Sequence, residues 1–595
     1  MRLRRLVVSS LVVLGFGSSL GCSDDTYPFD PADPGRGPAD LIAVRQPLNE
    51  SFSGGESSAV AANAAAPEVQ DDALPPCDAT CRDYCAGQNL ENPVDAAACR
   101  GLWGVGLSTQ PINDNEACRR LHADMLGILP THKEARARCG DRTYSEIVQD
   151  MLQDPAFVQT QQRLWADLLR YNNEAMSVER IYDADKLVGM LYEGRLAFDE
   201  FAAVLSAHPV LTRRYDNAGD RAAALFELLL GRPPYDHERS DMARLYSLWS
   251  NGYYDHPTLG MRLPDAVIEF RCLNDNGQID EATKGACTSV LWGYKELILT
   301  PDYRAVDGEL WSGLLTAEEW AVLQEPGRIL ARQPAFWEYA ADRVLQQYLG
   351  YDVATTLPEV REALVDYVLQ HQGDVRALHY AVATSQLYLQ SNGGATATTH
   401  RHTYGPLKQI QVEPWLDTIK ARTGFDLGQC DHRIPDPGNM MRADSVAALQ
   451  LLEDSAWEVT EDGVRRDYLN LARTLGGCPD NSVGGRFTTV SILTTATQEG
   501  FVARVCNPSL DKRKGASLDK LIPSDLRADT ALTADVAEEV LNFQVQQFYG
   551  RGAGTSERDA AREAADMCAP RPCSVESFAR PLCYALLSSS EMLFY

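Results

Sequence analysis

Four times along this chain an apolar, helix-patterned stretch runs into a glycine, and a glutamate follows after a short loop. The glycines are Gly127, Gly231, Gly350 and Gly550, and the glutamates are Glu134, Glu238, Glu359 and Glu557. The surrounding stretches read ADMLGILPTHKE, LLLGRPPYDHE, YLGYDVATTLPE and FYGRGAGTSE. Glycine suits the left-handed turn that ends a helix, because it has no Cβ to clash there. Thr131 and Thr356 stand three residues before a glutamate, which is the spacing of a capping box. Asp236 and Thr555 are placed to cap the other two helix starts. Each copy closes near an aromatic, in DPAF, TPDY, TSQLY and SSSEMLF. Such joints occur in any α protein, but three features recurring in one order point to internal repetition. The uneven spacing of the copies argues against a solenoid of fixed period.

Between the joints the apolar residues fall at helical intervals, as in Ile147/Met151/Leu152, Val344/Leu345/Tyr348/Leu349 and Val540/Leu541/Val545/Phe548. Alternation of the strand kind is scarce, with Phe487–Leu493 the best instance. The expected fold is mainly α. It comprises two helical domains of repeated helix–Gly–capped-helix units, over 119–330 and 331–595, preceded by a disulfide-rich segment. With 45% hydrophobic residues the chain has enough apolar surface for two or more cores.

The first 22 residues have the form of an export signal: basic Met1–Arg5, then an apolar run from Leu6 to Leu20 too short to span a bilayer. Gly21-Cys22 follows at once and resembles the lipobox of bacterial lipoproteins, in which the cysteine thiol receives a diacylglycerol. Ser19 stands where leucine is usual, so cleavage without lipidation is the alternative. Residues 23–75 are rich in Pro, Gly, Ser, Ala and acids and are expected to be a flexible tether, spanning roughly 40 Å as a coil. A Cys-rich segment over 76–118 comes next, with Cys77, Cys81, Cys85, Cys99 and Cys118, and Cys139 just beyond. Setting Cys22 aside leaves an even number of cysteines, and an exported chain would pair them. A zinc site is the rival. It is disfavoured because the spacing is not that of paired CxxC motifs and no histidine is expected close by. Cys272/Cys287 and Cys568/Cys573/Cys583 are groups in which short-loop pairs are plausible. A formal charge of −28 excludes nucleic acid as an electrostatic partner.

Leu121–Tyr171 resembles the domain that follows the cytochrome c module in planctomycete-type surface proteins (the PSCyt-type domain). The resemblance rests on Asp124-Met-Leu-Gly-Ile-Leu-Pro-Thr-His-Lys-Glu134, Met151-Leu-Gln-Asp-Pro155 and Trp165-Ala-Asp-Leu-Leu-Arg-Tyr171. The second half is similar to its usual C-terminal partner, the PSD-type domain, through Pro334–Gly350, Asp374–Ser391, Gln411–Asp417 with Thr423-Gly424, and Ala585–Phe594. Leu389 stands where that domain has arginine, and Asp342 where it has asparagine. No Cys-x-x-Cys-His occurs, so the resemblance carries no haem and no cofactor is expected. The family brings no activity to transfer.

Candidate chemistry is thin. Asp167 and Arg170 share a helix face, and the pair reads either as an anion clamp or as a structural ion pair. Glu413 and Asp417, four apart, are an acid/base or metal-binding pair on one reading and a solvated acidic face on the other, with Arg422 or Arg433 available to neutralise them. His400-x-His402 puts two imidazoles on one side of a loop, one ligand short of a metal site. Asn274–Glu281 resembles a calcium loop, but with Gly277 at position six the frame has Cys272 and Thr283 where acids belong. Gly476-Gly477 and Gly484-Gly485 flank a loop that reads as a binding rim. The expected function is a lipid-anchored cell-envelope protein, at the outer membrane, that binds or scaffolds an envelope partner. The alternative is an exported hydrolase or lyase on an extracellular polymer. A redox accessory is a third reading.

Overall fold

The computed structural model describes residues 76–88, 90–103, 112–169, 187–212, 215, 217–246, 324–391, 405, 407–425, 471–477, 491–510, 515–568 and 573–595. It also describes the backbone of five short strands between 249 and 294. The fold is mainly α, as expected. The strands form a three-stranded antiparallel sheet (Trp249–Ser250, Tyr253–His256, Gly260–Arg262) and a two-stranded one that pairs Ile268–Leu273 with Ser289–Tyr294. The stretch whose alternation looked most like a strand behaves otherwise. Ser491 caps a helix that starts at Ile492, so Ile492 and Leu493 belong to a first turn, and residues 487–490 lie outside the described residues.

The four joint glycines all adopt the left-handed conformation, with φ of 65°, 66°, 73° and 72° at Gly127, Gly231, Gly350 and Gly550. Three of the four glutamates then do the same work. Each accepts from the backbone N–H of the residue at the helix entrance: Thr131 to Glu134 at 2.7 Å, Tyr235 to Glu238 at 2.8 Å, Gly554 to Glu557 at 2.6 Å. Thr131 completes a reciprocal capping box. Asp236 and Thr555, expected as caps, are instead the first helical residues. In the third copy Pro358 restricts the residue before it, so the helix starts at Pro358 after Leu357. Thr356 turns its hydroxyl back to the carbonyls of Asp352 and Val353.

An arginine grips the capping glutamate in the same three copies. Arg232 binds Glu238 through two nitrogens at 2.7 Å, and Arg551 binds Glu557 at 2.9 and 2.8 Å. Both follow their joint glycine directly. The first copy has Ile128 at that place, and Arg422, distant in sequence, supplies the fork to Glu134 at 3.3 and 2.7 Å. Bidentate pairing fixes direction as well as distance, so it holds the loop over the helix entrance.

Among the described residues the buried side chains form two cores. The first gathers Val94 to Tyr246 and Leu330 to Leu389; the second gathers Ile410 to Met592, with Ala123 and Leu129. The core therefore does not divide at residue 330. Phe336 stacks on Phe198 at 4.6 Å, and His379 packs edge-on against Phe157 at 5.2 Å and Tyr192 at 5.6 Å. The Cys-rich segment is not a separate body either. Val94, Ala97 and Ala98 enter the first core, and Asn92 donates to the Ala381 carbonyl at 2.9 Å. Five disulfides join described residues: Cys77–Cys81, Cys85–Cys99, Cys118–Cys139, Cys506–Cys583 and Cys568–Cys573. Cys583 thus reaches across to Cys506 rather than closing a short loop. The side chains of Cys272 and Cys287 lie outside the described residues.

Candidate functional site

The first joint contains the most polar buried cluster described. The helix Asp114–Leu121 passes without a break into a single π-helical turn, His122–Leu126, before Gly127. Such a turn takes in an extra residue, costs hydrogen-bond quality, and tends to occur where a side chain must be re-aimed. Here it turns Asp124 inward, 6% exposed. The Asp124 carboxylate accepts from the Lys408 ammonium, from the Tyr388 hydroxyl at 2.7 Å and from the Tyr595 hydroxyl at 2.7 Å. Lys408 also donates to the Gln347 carbonyl at 3.0 Å, and the Gln347 amide donates to the Asp124 carbonyl at 3.3 Å. The ammonium sits over the Tyr595 ring, 4.9 Å from its centre.

Two consecutive arginines flank this turn. Arg120 donates to the carbonyls of Tyr388 at 2.7 Å and Gln390 at 3.1 Å, and Arg119 donates to those of Phe548 at 3.4 Å and Glu591. Neighbours on a helix point about 100° apart. Arg120 therefore holds the close of the third unit and Arg119 the close of the fourth, and the first joint is pinned between them. The segment carrying Lys408 pairs antiparallel with the chain end: Ile410 donates to Leu593 at 2.8 Å, and Tyr595 to Lys408 at 3.0 Å.

Burial lowers the Lys408 pKa, and the charge of Asp124 works against that shift. Tyr388 and Tyr595 are pushed well above the usual phenol range, by burial first and by the Asp124 charge second. Both phenols therefore stay protonated and donate. A carboxylate offers about four lone-pair sites, and three strong donors occupy three of those on Asp124. The cluster holds the parts of a general acid–base site, but its parts are spent on each other. What it can do as drawn is clamp two cores together. In the sequence Asp124 and Tyr388 stand out only as points of resemblance, and Lys408 and Tyr595 do not stand out. The signal that could have found them was an acid one turn before a joint glycine.

The expected site residues fare differently. Asp167 lies half-buried on the helix Pro155–Leu169, and Arg170 lies outside the described residues. Glu413 and Asp417 share the helix Val412–Thr423 as expected. They do not form a solvated acidic face, because that helix packs Trp415, Leu416 and Ile419 into the second core. Glu413 is 1% exposed. Asp417 pairs with Arg163 at 2.8 Å, a residue of the Asp167 helix. Arg422, considered as their neutraliser, is committed to Glu134, and Arg433 lies outside the described residues. His400, His402, Cys22 and the loop 274–281 also lie outside them. Leu389 is a core residue. Asp342 faces Arg361 at 3.5 Å, and burial pushes its carboxyl up to about 6.

Residues 93–217 match the model of the family PSCyt2, described as a protein of unknown function (DUF1549). This stretch resembles a PSCyt-type domain, and the match starts inside the Cys-rich segment rather than at residue 119. No curated protein and no solved structure matches the chain.

Proposed function

We propose that this protein is a lipid-anchored component of a bacterial cell envelope, moored through Cys22, that binds or scaffolds an envelope partner. The observation that carries the reading is the set of five disulfides following an export-type opening that ends in Gly21-Cys22. Thiols are kept reduced in the cytosol, so pairing on this scale favours an oxidising compartment. The closure of the Asp124 cluster favours binding over chemistry. So do the burial of Glu413 and the pairing of Asp417. The similarity of the second half to a PSD-type domain fits the same setting, since paired domains of this kind occur on bacterial surfaces.

The test is metabolic labelling with palmitate, comparing the wild type with Cys22→Ala. Label in the wild type and none in the variant is expected, with the wild type in the membrane fraction and the variant released. An unlabelled wild type would remove the anchor from the proposal. Affinity capture of the labelled protein from its own envelope should bring down a stoichiometric protein companion; capture of the chain alone would remove the scaffold role.

A further inference from the structure

The Cys118–Cys139 disulfide ties the Asp114–Leu121 helix to the helix His132–Cys139, and His122 lies against it. Cys118 and His122 are four apart on one helical face. Both sulfurs and a ring nitrogen of His122 lie within 4.8 Å of one another. His122 is 6% exposed, yet among the described residues neither ring nitrogen has a hydrogen-bond partner. Buried polar atoms are nearly always paired, and an unmet one is costly. The charged groups around the ring are committed elsewhere: Arg138 to Asp154 at 2.6 Å, and Arg422 to Glu134 at 2.7 Å.

We propose that Cys118, His122 and Cys139 form a redox-gated site for a thiophilic metal ion, Cu(I) by preference, that exists only while the two cysteines are reduced. The donor set decides the metal. Two thiolates and one imidazole are soft ligands suited to Cu(I) or zinc. A structural zinc site wants four protein donors, and among the described residues this group supplies three. The disulfide and the metal exclude each other. With metal–sulfur bonds of about 2.3 Å the sulfurs must stand nearly 4 Å apart, which a covalent S–S bond forbids. Opening the site takes a dithiol reductant, which gives two electrons and two protons to the S–S bond and becomes a disulfide itself. Cu(I) then displaces both thiol protons to solvent and takes the His122 lone pair, with no change in its own oxidation state. This inference does not depend on the anchor at Cys22.

The test uses the full chain, treated anaerobically with a dithiol and loaded with Cu(I) against a chromogenic Cu(I) chelator. The wild type, Cys118→Ser/Cys139→Ser and His122→Ala are compared, so that the remaining cysteines are common to all. The wild type should hold one more equivalent than the double serine variant. X-ray absorption should show a mixed sulfur–nitrogen shell, and His122→Ala should weaken that equivalent at least tenfold and remove the nitrogen. His122→Phe keeps the ring volume and serves if the alanine variant unfolds. Equal copper in the wild type and the double serine variant would overturn the site. A sulfur-only shell indifferent to His122 would do the same, and so would equally tight binding to the oxidised wild type.

Discussion

Lys408 sets its ammonium against the carboxylate of Asp124 and, with the same nitrogen, caps the Gln347 carbonyl at 3.0 Å. One group comes from the π-helical turn of the first joint, and the other from the segment that leads into the second core. The Gln347 carbonyl belongs to the last turn of the helix Pro334–Leu349, which ends at Gly350. A cation at a helix C-terminus is favourable by itself. Lys408 therefore ties the ends of two joints with one charge.

Asp124→Ala should cost about 3–5 kcal/mol, because it strands a buried ammonium. Lys408→Met should cost a similar amount by stranding the carboxylate. The double variant Asp124→Ala/Lys408→Met should be much less destabilised than the two single costs added together. Urea unfolding of the four proteins closes the cycle, and strict additivity would show that the two groups do not interact.

Gly231→Ala tests the close approach at the second joint. A Cβ there would stand 2.3 Å from the ring of Tyr339, at a backbone φ of 66°. Conformational strain alone costs about 1–2 kcal/mol, and the collision adds to it. Tyr339→Ala in the same chain should relieve the collision and leave the strain, so the Gly231→Ala cost should shrink but not vanish. Thermal unfolding reads both.

Arg551 grips Glu557 and, at 2.6 Å, Glu591, which joins the fourth joint to its own close. Glu557 is held below the usual carboxylate range, by the Arg551 hydrogen bonds first. Its contribution to stability is therefore present above the unfolded pKa, near 4.5, and is lost as pH falls below that value. Glu557→Gln keeps an oxygen for the Gly554 N–H but loses the ion pair. The variant should be about 1–2 kcal/mol less stable at neutral pH and should lose less on acidification than the wild type.

Asp95 has the opposite sign. Burial raises its carboxyl to about 6, although it accepts from the Gln386 N–H at 2.7 Å. The folded state then binds the extra proton between the unfolded value of 3.8 and about 6. Stability falls as pH rises through that window, and the cost is complete above it, on the order of 2–3 kcal/mol. Asp95→Asn should flatten this part of the pH–stability curve. An unchanged slope would reject the assignment.

The two disulfides of the second core differ in reach. Cys506–Cys583 spans a separation of 77 residues, and Cys568–Cys573 a separation of 5. By chain entropy the longer loop stabilises by about 4–5 kcal/mol and the shorter by about 2. Replacing each pair by alanine, with guanidinium unfolding, should reproduce that order.

The repeated joints were legible in the sequence because their chemistry is local. A glycine after an apolar helical run needs only its own backbone to adopt a positive φ, and all four did. Glutamates seven residues on cap helix entrances within a few ångströms of chain, so spacing finds them. The Thr356 cap failed for an equally local reason, since Pro358 governs the backbone before it. The Glu413 environment was misread because exposure depends on what packs on the other side of a helix, and a strongly acidic composition says nothing about that.

Sequence alone determined the helices, their glycine-marked ends and the presence of cysteine in pairing numbers, since each follows from contacts a few residues apart. Only the tertiary structure decided that Asp124 meets Lys408, Tyr388 and Tyr595, that Arg422 stands in for the arginine missing from the first joint, and that His122 lies unmet beside Cys118–Cys139. Most of these pairings close loops of hundreds of residues, and His122 meets Cys139 only through the docking of two helices. Such contacts are fixed by how the cores pack, which no local pattern along the chain encodes.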